Sequence, residues 1–93
     1  MPSTPVFQKS YEFYIHVYQN LRSIPKRDRY AWGERVERIS LEALMLAMRC
    51  EYATSRDKVA TLNDLSFRID VLKVLLRAGD ELNVLDHKRY LAR

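Results

Sequence analysis

The chain has 93 residues, of which 47% are hydrophobic and 30% are charged, with a formal net charge of +4 and a pI near 9.4. This composition indicates one globular domain and excludes a disordered chain and an enzyme with a separate cofactor domain. A single cysteine excludes an internal disulfide, and no apolar run approaches the ~20 residues that span a bilayer. We therefore expect a cytoplasmic protein with no membrane partner.

The first predicted helix covers about residues 5–22. Thr4 supplies a hydroxyl N-cap, and Pro5 suits the first helical position because it has no N–H to leave unsatisfied. Apolar side chains then recur with the spacing of one helix face, at Phe7, Tyr11, Tyr14, Ile15, Tyr18 and Leu21. Pro25 ends this helix, and the short connection predicts an antiparallel second helix.

The second predicted helix covers about residues 29–53, with Asp28 as its N-cap or with an extra turn that begins at Pro25. One apolar stripe contains Trp32, Val36, Ile39, Ala43, Leu46, Ala47 and Cys50. A second stripe, nearly opposite, contains Tyr30, Leu41, Leu44, Met48 and Tyr52. The first stripe can face a bundle core. The second stripe then needs the remaining helices or another subunit to cover it, and we predict it to be an oligomer interface.

A third helix is predicted at about residues 56–82, with Ser55 as the capping residue. Its pattern continues through Gly79, which costs about 1 kcal/mol relative to alanine unless it lets a neighbouring helix approach closely. Asp86 is the expected cap of a short fourth helix at residues 86–93. The sequence therefore predicts an all-α, up-down four-helix bundle with a short or truncated fourth helix, as one domain over residues 1–93.

Residues typical of catalysis are scarce in this sequence. His16 and His87 are the only histidines, and neither has a neighbouring ligand set; Cys50 lies on the core stripe of the second helix. The sequence contains no glycine-rich phosphate loop, no metal-ligand spacing and no nucleophile elbow. We therefore predict a protein that is not an enzyme and that holds no cofactor and no metal.

Positive charge is concentrated where the first two helices join. Residues 22–38 contain six basic and three acidic side chains, which is a net charge of +3 in a chain of net +4. Lys26, Arg27 and Arg29 crowd the start of the second helix, where the helix dipole disfavours cations. Free backbone N–H groups flanked by cations form a good anion site, and phosphate is the obvious anion. This stretch therefore predicts a nucleic-acid contact.

Other cations extend the candidate surface. Lys73 and Arg77 are four residues apart and so share a face of the third helix. The predicted nucleic-acid contacts are Lys26, Arg27, Arg29, Arg35, Arg38, Lys73 and Arg77. The alternative interpretation is a solvated surface on which Arg35 and Arg38 pair with nearby glutamates. The glutamates in question are Glu34, Glu37 and Glu42.

The chain contains the run IPKRDRY at residues 24–30, followed by GERV at 33–36, LKVLLR at 72–77 and KRYL at 88–91. At these residues, and most specifically in the first two runs, the chain resembles the accessory variability determinant proteins of diversity-generating retroelements. Those proteins belong to a larger group of four-helix-bundle proteins that includes proteins encoded in 23S rRNA intervening sequences. The resemblance covers most of the chain.

This resemblance implies a ring-like homopentamer that associates with a reverse transcriptase and with RNA or cDNA. Its role would be in mutagenic retrohoming, in which template RNA becomes altered cDNA. Relatives usually carry a full fourth helix, whereas the predicted fourth helix here has only two turns. The alternatives are a helical protein-interaction module that uses the second apolar stripe, or an rRNA-associated four-helix-bundle protein. An enzyme is the least favoured alternative.

Overall fold

The computed structural model describes residues 4–84. Its elements are α1 (Pro5–Leu21), α2 (Lys26–Asp28), a π-helical turn (Arg29–Gly33), α3 (Glu34–Tyr52) and α4 (Ser55–Glu81). The residues at both ends of the π turn keep helical backbone angles, so α2, the π turn and α3 form one continuous helix. Residues 4–84 thus form three long helices without a strand, which confirms the all-α class. The predicted fourth helix at 86–93 lies outside the described residues.

The second helix begins earlier than its predicted cap. Pro25 has extended backbone angles (φ −52°, ψ 145°) and directly precedes Lys26, the first helical residue. Asp28 has helical angles and its side chain makes no capping hydrogen bond, so the prediction of Asp28 as N-cap is wrong. The alternative of an extra turn from Pro25 is the one that the structure contains, because proline fixes the φ angle needed for entry into a helix.

The caps of α1 and α4 are both threonines. The Thr4 hydroxyl accepts a hydrogen bond from the Phe7 backbone N–H at 3.3 Å, as predicted. At α4 the cap is Thr54, and not Ser55: its hydroxyl accepts from the Asp57 N–H at 3.4 Å and donates to Asp57 Oδ2 at 3.2 Å. Each helix start therefore has one of its free N–H groups satisfied.

The end of α4 is a Schellman motif. Asn83 has a left-handed φ of 59°, which asparagine tolerates better than most side chains. Its N–H donates to the Asp80 carbonyl at 3.1 Å, and the N–H of Val84 donates to the Gly79 carbonyl at 2.9 Å. The turn directs Val84 back into the core, where it is buried.

The helix α3 is the centre of the fold because α1 packs on one of its sides and α4 on the other. The larger core cluster consists of Val17, Ile24, Trp32, Val36, Leu72 and Val84. The smaller cluster consists of Ala43, Ala47 and Leu65. The first predicted stripe of the second helix supplies buried residues to both clusters, so its assignment to the core was correct.

Trp32 packs directly on Gly79. A Cβ atom at Gly79 would lie 2.6 Å from Cζ2 of the indole, closer than real side-chain contacts come. The indole N–H donates to the Leu75 carbonyl at 2.6 Å, which holds the ring across α4. Gly79 therefore lets the neighbouring helix approach closely. This is the exception under which the sequence allowed a glycine in the helix in spite of its low helix propensity.

Candidate nucleic-acid interface

The side chains of α2 place positive charge at the start of the long second helix. Lys26 and Arg27 are exposed to solvent. The Lys26 Nζ atom lies 5.8 Å from the centre of the Tyr30 ring, within the range of a cation–π interaction. Tyr30 is itself exposed, so its ring and the two cations present one surface.

Arg29 is the first residue of the π turn and is only half-buried as a whole. Its Nε atom, however, is buried and has no hydrogen-bond partner among residues 4–84. A buried N–H without an acceptor is costly, by about 1–3 kcal/mol. Buried polar atoms of this kind are uncommon and occur at sites that a ligand, an ion or water completes. Arg29, which lies within three residues of Lys26 and Arg27, therefore has an N–H group that lacks an acceptor.

A polar depression of about 480 Å³ lies next to this turn. Its lining is Tyr30, Glu34, Arg35, Glu37 and Arg38, so two of the predicted contact residues and two of the three nearby glutamates share one surface feature. The π turn coincides with this part of the chain, and π turns occur frequently at functional sites.

The arginines of the depression are not neutralised by the predicted ion pairs. Among residues 4–84, the pairs within salt-bridge distance are Arg68 with Glu42 and Arg77 with Glu81. Arg35 instead donates to the backbone carbonyl of Ala31 at 2.8 Å. The solvated-surface interpretation, in which Arg35 and Arg38 pair with neighbouring glutamates, is therefore wrong in its ion pairs.

Glu37 has a different partner, which the sequence did not reveal. The Tyr14 hydroxyl of α1 donates a hydrogen bond of 2.7 Å to Glu37 Oε1. That hydrogen bond, followed by burial and by the negative charge of Glu37, raises the pKa of Tyr14 above its ordinary value. The Glu37 carboxylate is therefore bound to α1 and forms no salt bridge with an arginine of the depression.

Lys73 and Arg77 lie elsewhere. Lys73 lines a groove between α1 and α4, and no residue of the 26–38 cluster lines that groove among those described. Arg77 is exposed and pairs with Glu81 at 3.4 Å, four residues further along α4. No described contact joins either side chain to residues 26–38, so the predicted site falls into separate parts.

The second apolar stripe of α3 is largely uncovered in the single chain. Leu41, Met48 and Tyr52 are exposed, with Tyr52 72% exposed, and Leu44 is half-buried. Met45, which was not among the predicted residues of the stripe, is 54% exposed and belongs to it by helical phase. Tyr30 is also exposed but lines the polar depression with Arg35 and Arg38.

Metal-site geometry, membrane-spanning length and similarity to known proteins give no further indication of a function. Within residues 4–84, no group of three His, Cys, Asp or Glu side chains is arranged to hold a metal ion. None of the described helices is both long enough and apolar enough to cross a bilayer. No protein-family model, no curated protein and no solved structure matches the chain.

Proposed function

We propose that this chain is a non-catalytic accessory factor of a diversity-generating retroelement. It acts as a basic helical oligomer that binds the reverse transcriptase and RNA or cDNA during mutagenic retrohoming. The resemblance at residues 24–36 names the family, and the charge distribution at the same residues supports the nucleic-acid role. The two arguments meet in one short stretch of the chain.

The observation that carries the nucleic-acid proposal is the pair of exposed cations at the start of the second helix, next to a third cation without a salt bridge. Lys26 and Arg27 are exposed, and neither they nor Arg29 form a salt bridge to a described residue. A phosphate group at this surface meets the charges of Lys26 and Arg27 directly and is attracted by the half-buried Arg29 guanidinium, whose Nε atom is itself enclosed. Contacts of this kind give affinity without reading sequence.

The polar depression extends this surface. Arg35 and Arg38 have no salt bridge to a described residue and so remain able to meet further phosphates. Tyr30 offers an exposed ring on which a base can stack, a contact that is tolerant of sequence. The single-stranded or loop regions of a folded RNA fit both kinds of contact.

Self-association is supported by the exposed stripe of α3. Large exposed apolar surfaces on soluble chains mark interaction sites, and here Leu41, Met45 and Met48 lie on one face of the central helix. The number of subunits in the proposal, five, comes from the family resemblance.

A salt-dependent binding titration tests the nucleic-acid role. We expect affinity for a structured RNA to fall as salt rises, because bound cations release counterions. The triple variant Lys26→Ala, Arg27→Ala and Arg29→Ala should lower the salt slope by about two to three and weaken binding by more than tenfold. The matched control, Lys9→Ala, Arg56→Ala and Lys58→Ala, removes equal charge elsewhere and should retain most of the affinity. Affinity that is indifferent to salt, or equal in the two variants, would falsify this role.

The second candidate is a protein-interaction module without a nucleic-acid role, and the exposed stripe of α3 favours it. In that case Leu41→Glu or Met48→Glu abolishes assembly in light scattering, while charge reversal at Arg27 and Arg29 leaves function intact. A monodisperse monomer of the unaltered chain would contradict self-association in both candidates. An rRNA-associated protein would be encoded within an rRNA gene, whereas a retroelement factor lies near a reverse transcriptase with a template and a variable repeat.

A further inference from the structure

An apolar groove lies on the side of the molecule where α1 and α4 diverge over α3. A cavity of about 370 Å³ has Phe13 of α1 on one wall and Ile69 and Leu76 of α4 on the other. A second cavity of about 210 Å³ shares Phe13 and Leu76 with the first, so the two are adjacent parts of one groove.

The floor of the groove is formed by small side chains of α3. Ser40 and Ala43 line it, and the Ser40 hydroxyl already donates to the Val36 carbonyl at 2.7 Å. The Ser40 hydroxyl is therefore already hydrogen-bonded, and the floor of the groove needs no polar partner from a bound molecule. Small residues also let the backbone of another helix approach closely, as Gly79 does for Trp32 at the end of α4.

Both walls repeat their apolar side chains every seven residues. Val6 precedes Phe13 on α1, and Leu62 precedes Ile69 and Leu76 on α4. Val6 and Leu62 are 46% and 42% exposed, so the described residues leave the rows partly uncovered. A seven-residue repeat is the spacing with which one helix packs its side chains between those of another. Leu62 continues the α4 row one heptad beyond the lined part of the groove, and from Leu62 to Leu76 this row is about 21 Å long, or four turns, at 1.5 Å per residue.

The charged side chains that line the groove are both positive. Lys9 lines the groove from α1 and Lys73 lines it from α4, whereas no carboxylate lines it among the described residues. Neither lysine has a salt bridge to a described residue. An occupant with an apolar stripe between two rows of carboxylates would match both the lining and the rim.

We propose that the groove binds an amphipathic helix of a partner protein, about four turns long, whose apolar stripe is flanked by glutamate or aspartate. Such a helix lays its apolar side chains between the two heptad rows, over the small residues of the floor. Lys9 and Lys73 then each meet a carboxylate at the edge of the contact. The assignment of Lys73 to this groove is independent of the nucleic-acid proposal for residues 26–38.

Two synthetic peptides of about 18 residues test this assignment. Both carry the same leucine and isoleucine stripe at heptad positions a and d, but one has glutamate and the other lysine at positions e and g. Fluorescence anisotropy of the labelled peptides with the full chain should give about tenfold tighter binding for the glutamate peptide, from two exposed ion pairs. The double variant Lys9→Glu and Lys73→Glu should remove or reverse this preference.

Controls separate the groove from the general positive charge of the chain. The variant Arg49→Glu and Arg56→Glu, at two exposed positions outside both proposed sites, has the same net charge as the groove variant and should keep the tenfold preference. Ile69→Gln, at a partly exposed wall position, should weaken the glutamate peptide severalfold while circular dichroism shows intact helices. Binding that is equal for both peptides, or equal loss in the two charge variants, overturns the proposal. Failure of both peptides to bind also overturns it.

Discussion

The two halves of α3 are packed with side chains of very different size. Towards its start, the core cluster contains a tryptophan, two isoleucine- or leucine-sized residues and three valines (Trp32, Ile24, Leu72, Val17, Val36 and Val84). Towards its end, the cluster consists of two alanines and one leucine (Ala43, Ala47 and Leu65). The apolar area that is removed from water, and with it the stabilising free energy, is therefore concentrated in the first half.

This difference also locates the surface that is most in need of a partner. The exposed apolar residues of α3, from Leu41 to Tyr52, lie along the half that has the small core. Alanines bring helices close together but leave little buried area of their own. A partner on this half would add apolar burial where the single chain has least of it.

The largest effect that we expect comes from exchanging the anchor of each half for alanine. Trp32→Ala should lower the free energy of unfolding by about 3–5 kcal/mol, because it leaves a large cavity and removes the hydrogen bond from the indole to the Leu75 carbonyl. Leu65→Ala in the smaller cluster should cost about 2–3 kcal/mol. Urea unfolding followed by circular dichroism measures both values. Equal losses would contradict the unequal division of the core.

Next in size is the contact of Trp32 with Gly79. Gly79→Ala should lower the free energy of unfolding by about 1–3 kcal/mol, although alanine favours a helix, since the new Cβ meets a rigid ring at 2.6 Å. Gly33→Ala is the matched control: its Cβ would lie 2.9 Å from Cδ2 of Leu21, the end of a flexible side chain, and should be nearly neutral. Similar values for the two variants, again from urea unfolding, would show that the indole can move.

A smaller loss in the free energy of unfolding is expected from the cap at the start of α4, the helix that contributes Leu65 to the smaller cluster. Thr54→Ala removes the acceptor of the Asp57 N–H and should cost about 1 kcal/mol. Ser55→Ala, one residue further on, removes a hydroxyl that does not cap and should change stability little. Thermal unfolding of the two variants distinguishes them, and a larger effect at Ser55 would contradict the assigned cap.

The smallest expected effect concerns the hydrogen bond between α1 and α3. Tyr14→Phe should cost about 1 kcal/mol at neutral pH. The native pKa of Tyr14 is raised above the ordinary 10.0, so its contribution is fully present below pH 10 and is lost as the pH rises through the native pKa. The difference in unfolding free energy between the unaltered chain and Tyr14→Phe should therefore shrink under strongly alkaline conditions. Tyr11→Phe is the control, and a difference that is constant with pH would contradict the assignment.

Periodicity was sufficient to predict the three described helices and the buried stripe of the second. Trp32, Val36 and Ala47 are buried because residues three, four or seven apart share a helix face whatever surrounds them. The choice between Thr54 and Ser55 as cap was not predictable in this way. Both carry the required hydroxyl, and the position of the chain reversal decides between them.

Other features depend on contacts between helices, which the sequence pattern does not contain. The hydrogen bond from Tyr14 to Glu37 joins residues 23 positions apart, and nothing in the sequence near Glu37 indicates it. Glu37 therefore has a partner other than the arginines with which it was expected to pair. The π turn at Arg29–Gly33 likewise has no compositional signature. Asn83 did carry a usable signal, because asparagine after a helix is typical of a left-handed C′ residue.

The π turn has a consequence for how the protein can vary. A π turn holds about one residue more than an α turn, so removing one residue there would convert it to an α turn and leave the helix continuous, with nearly the same phase on both sides. Lys26 and Arg27 lie before the turn, and Val36 lies after it in the core. A single-residue deletion within the turn would thus be absorbed locally, whereas a deletion within α3 would rotate the residues on its two sides relative to each other by about 100°. The turn is therefore the place in this helix where the chain length can change by one residue without changing which side chains face the core.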